Sequence, residues 1–479
     1  MKIVLFALNG SWSHSCLALR CLRAPLERAG FEVTLLEYNL RDRTAHILER
    51  LYREQADIYS FSCYIWNLNP TLELAKALKS LRPSARIVLG GPEVSFATER
   101  FDAMDWIDAI VCGEGEDALP ALCEQMRGGQ PFSRIAEGGT PDVMQNEGIL
   151  YRDREETGSI LYYESSRGCP YSCAYCLSSA TRGVRMKSVA QTLADLAQFE
   201  TLAVERRVIK FVDRTFNADQ KRANAIWRAL LDEGFTGQYH FEVCASLLDE
   251  ESFEILSQFP KGKIQLEFGL QSTNPQTLAA SARHIDPKRV IEAVRRVYEM
   301  GNIHVHLDLI AGLPYESYAR FGQSFDEAYG CSHLLQLGFL KLLHGTPLRD
   351  RAEEYGYVAM PEPPYTLLQS RWIAYPEMQR LHHIAEAMER YLESQRFVHA
   401  LSYLSGVWQS PFAFWEGLAD YLAETCDRPL QRLSQPEAFM ALLNYATERI
   451  DGVDVSTLKK MLAADFSQHE HKNPPYFLR

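Results

Sequence analysis

The sequence predicts an α/β protein in which two successive series of parallel strands precede a helical carboxyl-terminal region. Short β-rich runs alternate with helical stretches over residues 1–125, and a second alternation covers residues 161–342. After the proline-rich run at 360–364 the patterns are helical. Strand–helix alternation is typical of parallel sheets, because each pair of parallel strands needs a crossover connection that is usually a helix.

The first series predicts a doubly wound sheet. Its strands are expected at residues 2–8, 32–37, 57–62, 86–89 and 107–111. Helices are expected between them, for example over 16–29 and 70–81, with Gly30 as a helix stop. Ligands of such sheets bind at the carboxyl ends of the strands. Two of these ends carry paired glycines, at 90–93 (GGPE) and 113–116 (GEGE), which either allow a large flat ligand to approach the backbone or make a tight turn.

The second series predicts a partial barrel. Residues 126–160, rich in glycine and polar groups, are expected to form a linker with a small hairpin at 149–152. Helices such as 189–202 and 288–300 separate the strands that follow. These six strands are expected at 160–165, 208–213, 239–243, 264–269, 304–310 and 334–340. Six strands are two short of a closed eight-stranded barrel.

The carboxyl-terminal region is predicted to be helical and to contain many aromatic side chains. The aromatic residues are expected mainly to form a core, and the alternative is that they line a substrate pocket. Helices are expected at residues 379–396, 413–425, 436–449 and 455–464.

Composition limits the class of protein. No apolar run approaches 18 residues, so no membrane span is expected, and the apolar stretch at 3–8 is too short for a signal-peptide core. The 11 irregularly spaced cysteines favour a reducing cytoplasm over a disulfide framework. The formal net charge of −12 argues against a general nucleic-acid binder, although a local basic patch for a folded RNA stays open.

The most informative motif is the run SSRGCPYSCAYC at residues 165–176. It places Cys169, Cys173 and Cys176 on one loop directly after the first strand of the second series. Three thiolates on a short loop can bind three irons of a cubane iron–sulfur cluster and leave the fourth iron open to a small molecule. Gly168 and Pro170 favour a loop over a helix. The alternative is that these are simply neighbouring buried cysteines.

This motif, with Tyr175 before the last cysteine, resembles the signature of radical S-adenosylmethionine (SAM) enzymes. The resemblance implies that the open iron of a 4Fe-4S cluster binds SAM, whose reductive cleavage yields a radical that abstracts hydrogen from a substrate. It also implies SAM contacts near the ends of successive barrel strands. The implied contacts are Tyr175 in the cysteine motif and, at or after the barrel strands, Asp213, Glu242, Gln271, Arg283 and Gly312.

The resemblance implies distinct roles for these SAM contacts. Asp213 or Glu242 would contact the amino group or the ribose, and Arg283 would bind the carboxylate, for which a fork-shaped guanidinium is suited. Gln271 lies in a stretch similar to the fourth strand of the family. Gly312 lies in the sequence IAGLP at 310–314, which resembles the turn that packs on adenine.

The first series resembles the cobalamin-binding domain that precedes the radical SAM barrel in one branch of this superfamily. The similar stretches are residues 60–67, 90–93 and 113–116, and the implied contacts are Ser62, Gly90, Gly91, Gly113 and Gly115. One loop departs from the Asp-x-His-x-x-Gly motif of proteins that bind cobalt through histidine, because His14 stands without the Asp and the Gly. We therefore expect no protein nitrogen on cobalt, with His14 as the alternative ligand.

The resemblance implies four regions. They are a Rossmann-like cobalamin-binding domain over 1–130, a linker over 131–158, a radical SAM core with a TIM-like (β/α)6 barrel over 159–355, and a helical domain over 356–479. The implied activity is cobalamin-dependent methyl transfer to an unactivated carbon or phosphorus centre of a small-molecule or peptide substrate. A flavodoxin or ferredoxin would donate the electrons.

Three alternatives stay open. The first is another radical reaction in the same architecture, such as cyclisation, rearrangement or oxidation. The second is a methylthiotransferase, in which Cys16, Cys63 and Cys112 would bind a second cluster. The third is a cobalamin sensor or carrier.

Overall fold

The computed structural model describes residues 1–142, 151–152, 159–180, 183–201, 208–470 and 473–478. Within these residues, two parallel six-stranded sheets follow each other along the chain and a helical region comes last. The predicted fold class is confirmed. Part of the predicted hairpin at 149–152 and the end of the predicted helix 189–202 lie outside the described residues.

The first sheet is parallel, with the strand order β2-β1-β3-β4-β5-β6. Its strands are β1 (Lys2–Asn9), β2 (Glu32–Asn39), β3 (Ile58–Ser62), β4 (Arg86–Gly90), β5 (Ala109–Cys112) and β6 (Ile135–Glu137). Every residue of β3 and β5 is buried, as expected for strands covered on both faces. The last strand, β6, comes from the region predicted to be a linker, where three residues are too few for a strand pattern to be recognised.

Helices cover both faces of this sheet. They are α1 (Leu17–Arg28), α2 (Thr44–Glu54), α3 (Leu68–Leu81), α4 (Pro92–Ser95) and α5 (Gly115–Arg127). One core holds Ile3 and Leu5 of β1 with residues of α1 and α5, whereas the other holds Val4 and Phe6 with residues of α2 and α3. Because β1 pairs with β2 on one side and β3 on the other, the direction of winding reverses between β1 and β3. A ligand crevice is expected at the carboxyl ends of those two strands.

The second sheet is an open barrel with the strands in sequential order. The barrel strands are β7 (Ile160–Tyr163), β10 (Val208–Phe211), β11 (Gln238–Val243), β12 (Ile264–Gln271), β13 (His304–Ala311) and β14 (Leu334–Phe339). A small antiparallel hairpin, β8 (Ser166–Gly168) with β9 (Val184–Met186), lies between β7 and β10 in the chain. The ends of the predicted strands in both sheets differ from these bounds by one or two residues.

Alternate residues of the barrel strands face different surroundings. Along β12 and β13, fully buried apolar residues alternate with partly exposed ones that face the inside of the barrel. The outer layer consists of α6 (Val189–Phe199), α7 (Gln220–Asp232), α8 (Glu250–Ser257), α9 (Pro275–Ala280), α10 (Pro287–Glu299) and α11 (Tyr318–Ala328). Serine, aspartate or asparagine caps the first turn of each of these helices, which fixes where it begins.

The carboxyl-terminal region packs on the end of the barrel. Its short hairpin, β15 (Val358–Ala359) with β16 (Leu367–Gln369), and the helix Val398–Leu404 were not expected from the sequence. Tyr391 and Trp415 are fully buried in a core that is continuous with that of the barrel. The helices are α12 (Pro347–Asp350), α13 (Tyr375–Met388), α14 (Val398–Leu404), α15 (Pro411–Thr425), α16 (Gln435–Arg449) and α17 (Val455–Glu470). Among the described residues, none of the helices combines the length and apolar character needed to cross a bilayer.

Candidate functional site

The cysteine loop begins at a hairpin that only glycine can close. Gly168, the last residue of β8, has a φ of +98°, and a Cβ atom there would collide with the carbonyl oxygen of Gly183. The backbone therefore crosses closely at this point, and Cys169 follows directly. This places the loop at the carboxyl end of β7, where the functional face of a barrel lies.

The three cysteines lie on a loop that is held by its backbone. Ala174 donates its N–H to the carbonyl of Ser281 at 2.9 Å and accepts from the N–H of Leu348 at 3.0 Å. Cys173 is buried, whereas Cys169 and Cys176 are partly exposed, and none of the 11 cysteines forms a disulfide. Burial raises the pKa of the Cys169 thiol.

The described residues contain no group of three His, Cys, Asp or Glu side chains arranged around one metal ion. A cubane cluster does not require such a group, because each thiolate binds a different iron.

Arg283 lies beside this loop. Its Nη1 is 3.6 Å from the sulfur of Cys173 and 3.5 Å from the hydroxyl of Tyr175, and its Nη2 donates to the carbonyl of Gly269. Its Nε is buried without a hydrogen-bond partner. The absence of a side chain at Gly269 makes room for this arrangement, since a Cβ atom would lie 3.2 Å from Nη2. The guanidinium therefore contacts the loop and keeps one donor available.

Two more unpaired polar atoms lie near Gly269. Gln271 follows on the same strand with a φ of +72°, and its Oε1 is buried without a hydrogen-bond partner. Asp308, which is paired with Gly269 across β12 and β13, has a buried Oδ1 that also lacks a partner. Burial and the charges of Glu267 and Glu242 raise the pKa of Asp308 to about 8.

Asp308 was not among the residues singled out from the sequence. It lies on the same face of its strand as His304 and His306. The alternation of polar and apolar residues along 304–310 is the sequence signal that could have placed Asp308 inside the barrel.

Glu242 and Glu267 are paired across neighbouring strands, yet they have opposite pKa shifts. Burial raises the pKa of Glu242 to about 7. Burial would also raise the pKa of Glu267, but a hydrogen bond from His240 at 2.8 Å and the charge of Lys210 hold it at about 2. The barrel interior thus holds one carboxylate that is charged at neutral pH beside one whose pKa lies near neutral pH.

Asp213 and Gly312 are placed differently from these residues. Asp213 is fully buried and accepts hydrogen bonds from the backbone N–H and hydroxyl of Ser165 and from the hydroxyl of Ser166, at 2.6–2.9 Å. A Cβ atom at Gly312 would lie 2.5 Å from Leu367, so the carboxyl-terminal region covers this turn. Asp213 therefore holds the segment that leads into the cysteine loop, and the structure favours Glu242 as the carboxylate available to a ligand.

The glycines in the two loops of the first sheet differ in how much space surrounds their Cβ positions. Gly91 has a φ of +108°, and a Cβ atom there would lie 2.6 Å from the carbonyl oxygen of Cys63, so its own chain requires glycine. Gly115 packs against Leu22 of α1. Gly113 has a φ of +75° and open space within 4 Å of its Cβ position. Of these three residues, only Gly113 leaves room for a ligand at the backbone.

Ser62 and Gly90 end the neighbouring strands β3 and β4 and are paired in register. Ser62 is buried, with its hydroxyl 3.7 Å from the sulfur of Cys16. A Cβ atom at Gly90 would make only ordinary contacts with Val111. These two residues therefore lie side by side at the carboxyl ends of their strands.

The loop after β1 contacts the first barrel strand. His14 is exposed, and its Nδ1 lies 2.6 Å from the hydroxyl of Tyr162. The backbone N–H of Ile160 donates to Ser13 at 3.0 Å. Tyr162 is therefore a group that orients the imidazole, a role in which sequence reasoning found no residue. Tyr162 contacts Nδ1 of His14 and not Nε2, the other nitrogen of the ring.

The three cysteines considered for a second cluster are not among any group of side chains arranged around one metal ion in the described part of the chain. Cys63 and Cys112 belong to the core on one face of the first sheet, whereas Cys16 belongs to the core on the opposite face. Burial raises the pKa of all three thiols, to about 12 for Cys63.

Three family models match separate parts of the chain. Residues 8–123 match the B12 binding domain, residues 163–328 match the radical SAM superfamily, and residues 353–479 match a model described as "Protein of unknown function (DUF4080)". The first two matches coincide with the two parallel sheets. The domain boundaries predicted at 130, 158 and 355 stay predictions.

Several known proteins are similar to this chain. The cobalamin-dependent radical SAM methyltransferase TokK of Streptomyces tokunonensis is 25% identical over 439 residues, which cover 79% of this chain and 63% of TokK. The hopanoid C-3 methylase of Methylococcus capsulatus is 26% identical, covering 62% of this chain and 60% of the methylase. The chain therefore spans about 60% of the length of these two relatives.

The solved structure of OxsB, a cobalamin-dependent SAM radical enzyme with aqua-cobalamin bound, aligns with the whole chain. The alignment covers 100% of this chain and 82% of OxsB with a TM-score of 0.68, at 15% identity. At this identity the match shows a shared fold.

Proposed function

We propose a function from one premise: the chain is a radical SAM protein that carries a B12-binding domain on its amino-terminal side. The proposed function is cobalamin-dependent methyl transfer to an unactivated carbon or phosphorus centre of a small-molecule or peptide substrate. When bound, the cluster and SAM supply hydrogen abstraction, and cobalamin supplies the methyl group. The task of the protein is to hold these groups against one substrate and to exclude water.

The observation that carries the proposal is the set of unpaired polar atoms next to the cysteine loop. Buried polar atoms are nearly always hydrogen-bonded, so unpaired ones indicate a missing partner. The donor at Arg283 and the acceptors at Gln271 and Asp308 surround Gly269, and Arg283 also approaches Cys173. SAM carries a carboxylate for the guanidinium, and its amino group and ribose hydroxyls can donate to the acceptors. We propose that Cys169, Cys173 and Cys176 bind the cluster and that these residues hold SAM.

We propose that cobalamin binds the first sheet at the carboxyl ends of β1 and β3, where a doubly wound sheet is expected to have its ligand crevice. Gly113, which follows β5, leaves its backbone open on one side. The contact between His14 and Tyr162 brings this edge of the sheet to the start of the barrel. We propose that the two cofactors are held on either side of this contact. The names of TokK and the hopanoid methylase support methylation as the net reaction.

His14 bears on how cobalamin would be bound. We propose that no protein nitrogen binds cobalt, because the loop lacks the carboxylate and glycine of the histidine-ligating motif. Electron paramagnetic resonance of the cob(II) form tests this point. We expect no nitrogen splitting from the protein and an unchanged spectrum in His14→Ala. Splitting that disappears in the variant would show that Nε2 is a ligand.

The cluster and the cysteines also bear on the electron donor and the compartment of the protein. A radical SAM cluster must be reduced before it acts, so we propose a flavodoxin or ferredoxin as the electron donor. Because the 11 cysteines form no disulfide, a reducing compartment such as the cytoplasm is the proposed location. The net charge of −12 argues against a nucleic-acid substrate.

The deciding experiment uses the reconstituted chain, SAM labelled in its methyl group, and a strong reductant. We expect iron–sulfur absorbance, bound cobalamin and release of 5′-deoxyadenosine. Changing Cys169, Cys173 and Cys176 to Ala is expected to abolish the absorbance and the release. The matched control is Cys426→Ala, a partly exposed cysteine of the carboxyl-terminal region, which is expected to retain both. A triple variant that still cleaves SAM would contradict the proposal.

Other outcomes identify the alternatives. Release of 5′-deoxyadenosine in a cell extract without methyl transfer to any molecule would favour cyclisation, rearrangement or oxidation. Two clusters per chain would favour a methylthiotransferase, which the separation of Cys16 from Cys63 and Cys112 disfavours. Binding of cobalamin without SAM cleavage would favour a sensor or carrier.

A further inference from the structure

Arg167 occupies an unusual position between the two sheets. It lies in β8, two residues before Cys169, and uses all three guanidinium nitrogens. Nε and Nη2 donate to Glu164 at 2.9 and 2.7 Å, Nη1 donates to Glu114 at 2.8 Å, and Nη2 also lies 2.7 Å from Glu116. Glu114 and Glu116 belong to the segment 113–116 after β5 in the first sheet, where Glu114 immediately precedes α5 and Glu116 lies in its first turn.

A second arginine reinforces the same link. Arg185 is paired with Arg167 across the β8–β9 hairpin, and it donates to Glu114 and to the carbonyl of Pro141. The side chains of Arg167, Glu114 and Glu164 are each 17% exposed, and that of Glu116 is 10% exposed. Because water is largely excluded, these ion pairs are screened less than pairs on the surface.

The charges explain why the link depends on Arg167. Arg167 contacts all three carboxylates, whereas Arg185 contacts Glu114, so loss of Arg167 would remove the guanidinium that Glu114, Glu116 and Glu164 share. Like charges held together out of water repel, and removing one partner of a buried pair is strongly destabilising. A lysine preserves the charge at this position but cannot reproduce the planar fork that serves three carboxylates.

We propose that Arg167 is a positioning residue that fixes the cysteine loop against the loop at residues 113–116. This inference rests on the proposed function, in which the first loop binds the iron–sulfur cluster and the second borders cobalamin. The distance between the two cofactors is then set by the ion pairs from Arg167 and Arg185 to Glu114. The hairpin closed at Gly168 transmits this constraint directly to Cys169.

The first test needs no cofactor. Amide hydrogen exchange is measured in the chain as purified, for Arg167→Ala, Arg167→Lys and Glu114→Gln. Exchange is expected to rise on the order of tenfold in both segments, 113–116 and 168–176, because the loss of a shared interaction loosens both. The matched control is Glu49→Gln, which removes an exposed ion pair with Arg53 on α2 and is expected to change neither segment. A rise confined to one segment in all three variants would overturn the proposal.

The second test separates positioning from mere stability. In the reconstituted protein, pulsed electron paramagnetic resonance measures the distance between the reduced cluster and cob(II)alamin. We expect a narrow distribution in the parent chain and a broader or shifted one in Arg167→Lys and Glu114→Gln, at unchanged cluster and cobalamin content. An unchanged distribution in both variants would overturn the inference. Failure of the parent chain to bind cobalamin would instead refute the proposed function, and the exchange experiment would still decide whether Arg167 joins the two loops.

Discussion

Polar side chains line the inside of the barrel sheet, on strands whose outer faces are fully apolar. Glu242, Glu267, His306 and Asp308 all lie there, and their pKa values differ widely. Burial lowers the pKa of His306 to about 4, so this imidazole is neutral at pH 7, whereas burial raises the pKa of Asp308 to about 8. A buried ionisable side chain with a strongly shifted pKa, such as Asp308, lowers the stability of the fold when no ligand is bound. Asp308 is therefore a candidate for ligand binding.

Replacing Arg283 with alanine is expected to weaken SAM binding by about 1.5–3 kcal/mol, roughly ten- to a hundredfold, because one charge-assisted contact is lost. The measurement is a binding titration with the cluster-loaded protein. Arg289→Ala is the matched control, since that arginine is 82% exposed on the outer helix α10. Normal binding by Arg283→Ala would show that another residue holds the carboxylate, without affecting the assignment of the cluster cysteines.

Replacing Glu242 with glutamine is expected to change stability in a pH-dependent way. The pKa of this carboxyl is about 7 in the folded chain and 4.5 ordinarily, so between these values the folded state holds a proton that the unfolded state has lost. The unfolding free energy of the parent therefore falls as pH rises from about 4.5 to 7 and then stays lowered. Above pH 7, Glu242→Gln is expected to be more stable by roughly 1–3 kcal/mol.

The measurement for Glu242→Gln is the urea unfolding transition of the barrel at pH 4.5 and pH 8, followed by hydrogen exchange in β11 and β12 because a multidomain chain need not unfold in one step. No gain is expected at pH 4.5, where the parent carboxyl is protonated in the folded state. At pH 8 the gain should be accompanied by weaker SAM binding. Equal stability of parent and variant at pH 8 would contradict the pKa shift.

At the scale of single elements, the hairpin before Cys169 depends on Gly168. Alanine at this position would require both a φ of +98° and a close approach to the carbonyl of Gly183. Strained backbone of this kind costs about 1–3 kcal/mol. We expect Gly168→Ala to bind substantially less iron after reconstitution, measured by metal content and absorbance. Gly301→Ala is the matched control, because Gly301 has a φ of +74° and open space around its Cβ position. Equal iron content in the two variants would show that the clash at Gly183 does not matter.

Element prediction succeeded where burial imposes a pattern. Residues 3–8 form a continuous apolar run, and residues 264–269 alternate apolar with polar side chains, so both strands could be predicted closely. Short elements could not be predicted, because the two residues of β15 and the three of β6 carry no periodicity. Helix α14, of seven residues, is too short for the helical period to stand out.

The local sequence does not show which side chains already have hydrogen-bond partners or which distant segments come into contact, and this limited the prediction of the site. The family resemblance singled out Glu242, Gln271 and Arg283 at or after barrel strands, and these residues lie along the inner face of the barrel or beside the cysteine loop. Asp213 also follows a strand, but its carboxylate binds Ser165 and Ser166, which sequence position alone does not reveal. Contacts between distant segments, such as Arg167 with Glu114, depend on how the two sheets pack together.

At the scale of the whole molecule, the carboxyl-terminal region contacts both sheets. Tyr365 lies just before β16 and is buried. Its hydroxyl donates to Glu93 at 2.8 Å and accepts from Arg100 at 2.6 Å, and both partners belong to the first sheet's loops. Leu367 covers Gly312 at the end of the barrel strand β13. A single segment of this region therefore reaches the glycine loop at 90–93 and the mouth of the barrel.

Removing the hydroxyl of Tyr365 tests this connection. In Tyr365→Phe, Glu93 loses its hydrogen-bond donor and Arg100 loses an acceptor at a buried place, so we expect a local cost of about 1–3 kcal/mol. Because a multidomain chain need not unfold in one step, the measurement is amide exchange in two segments, 92–101 and 358–369. Faster exchange is expected in both. Tyr375→Phe is the control, since Tyr375 is 46% exposed. A change confined to 358–369 would show that Tyr365 packs on the first domain without stabilising it, whereas a change in both would establish that the carboxyl-terminal region holds the glycine loop in place.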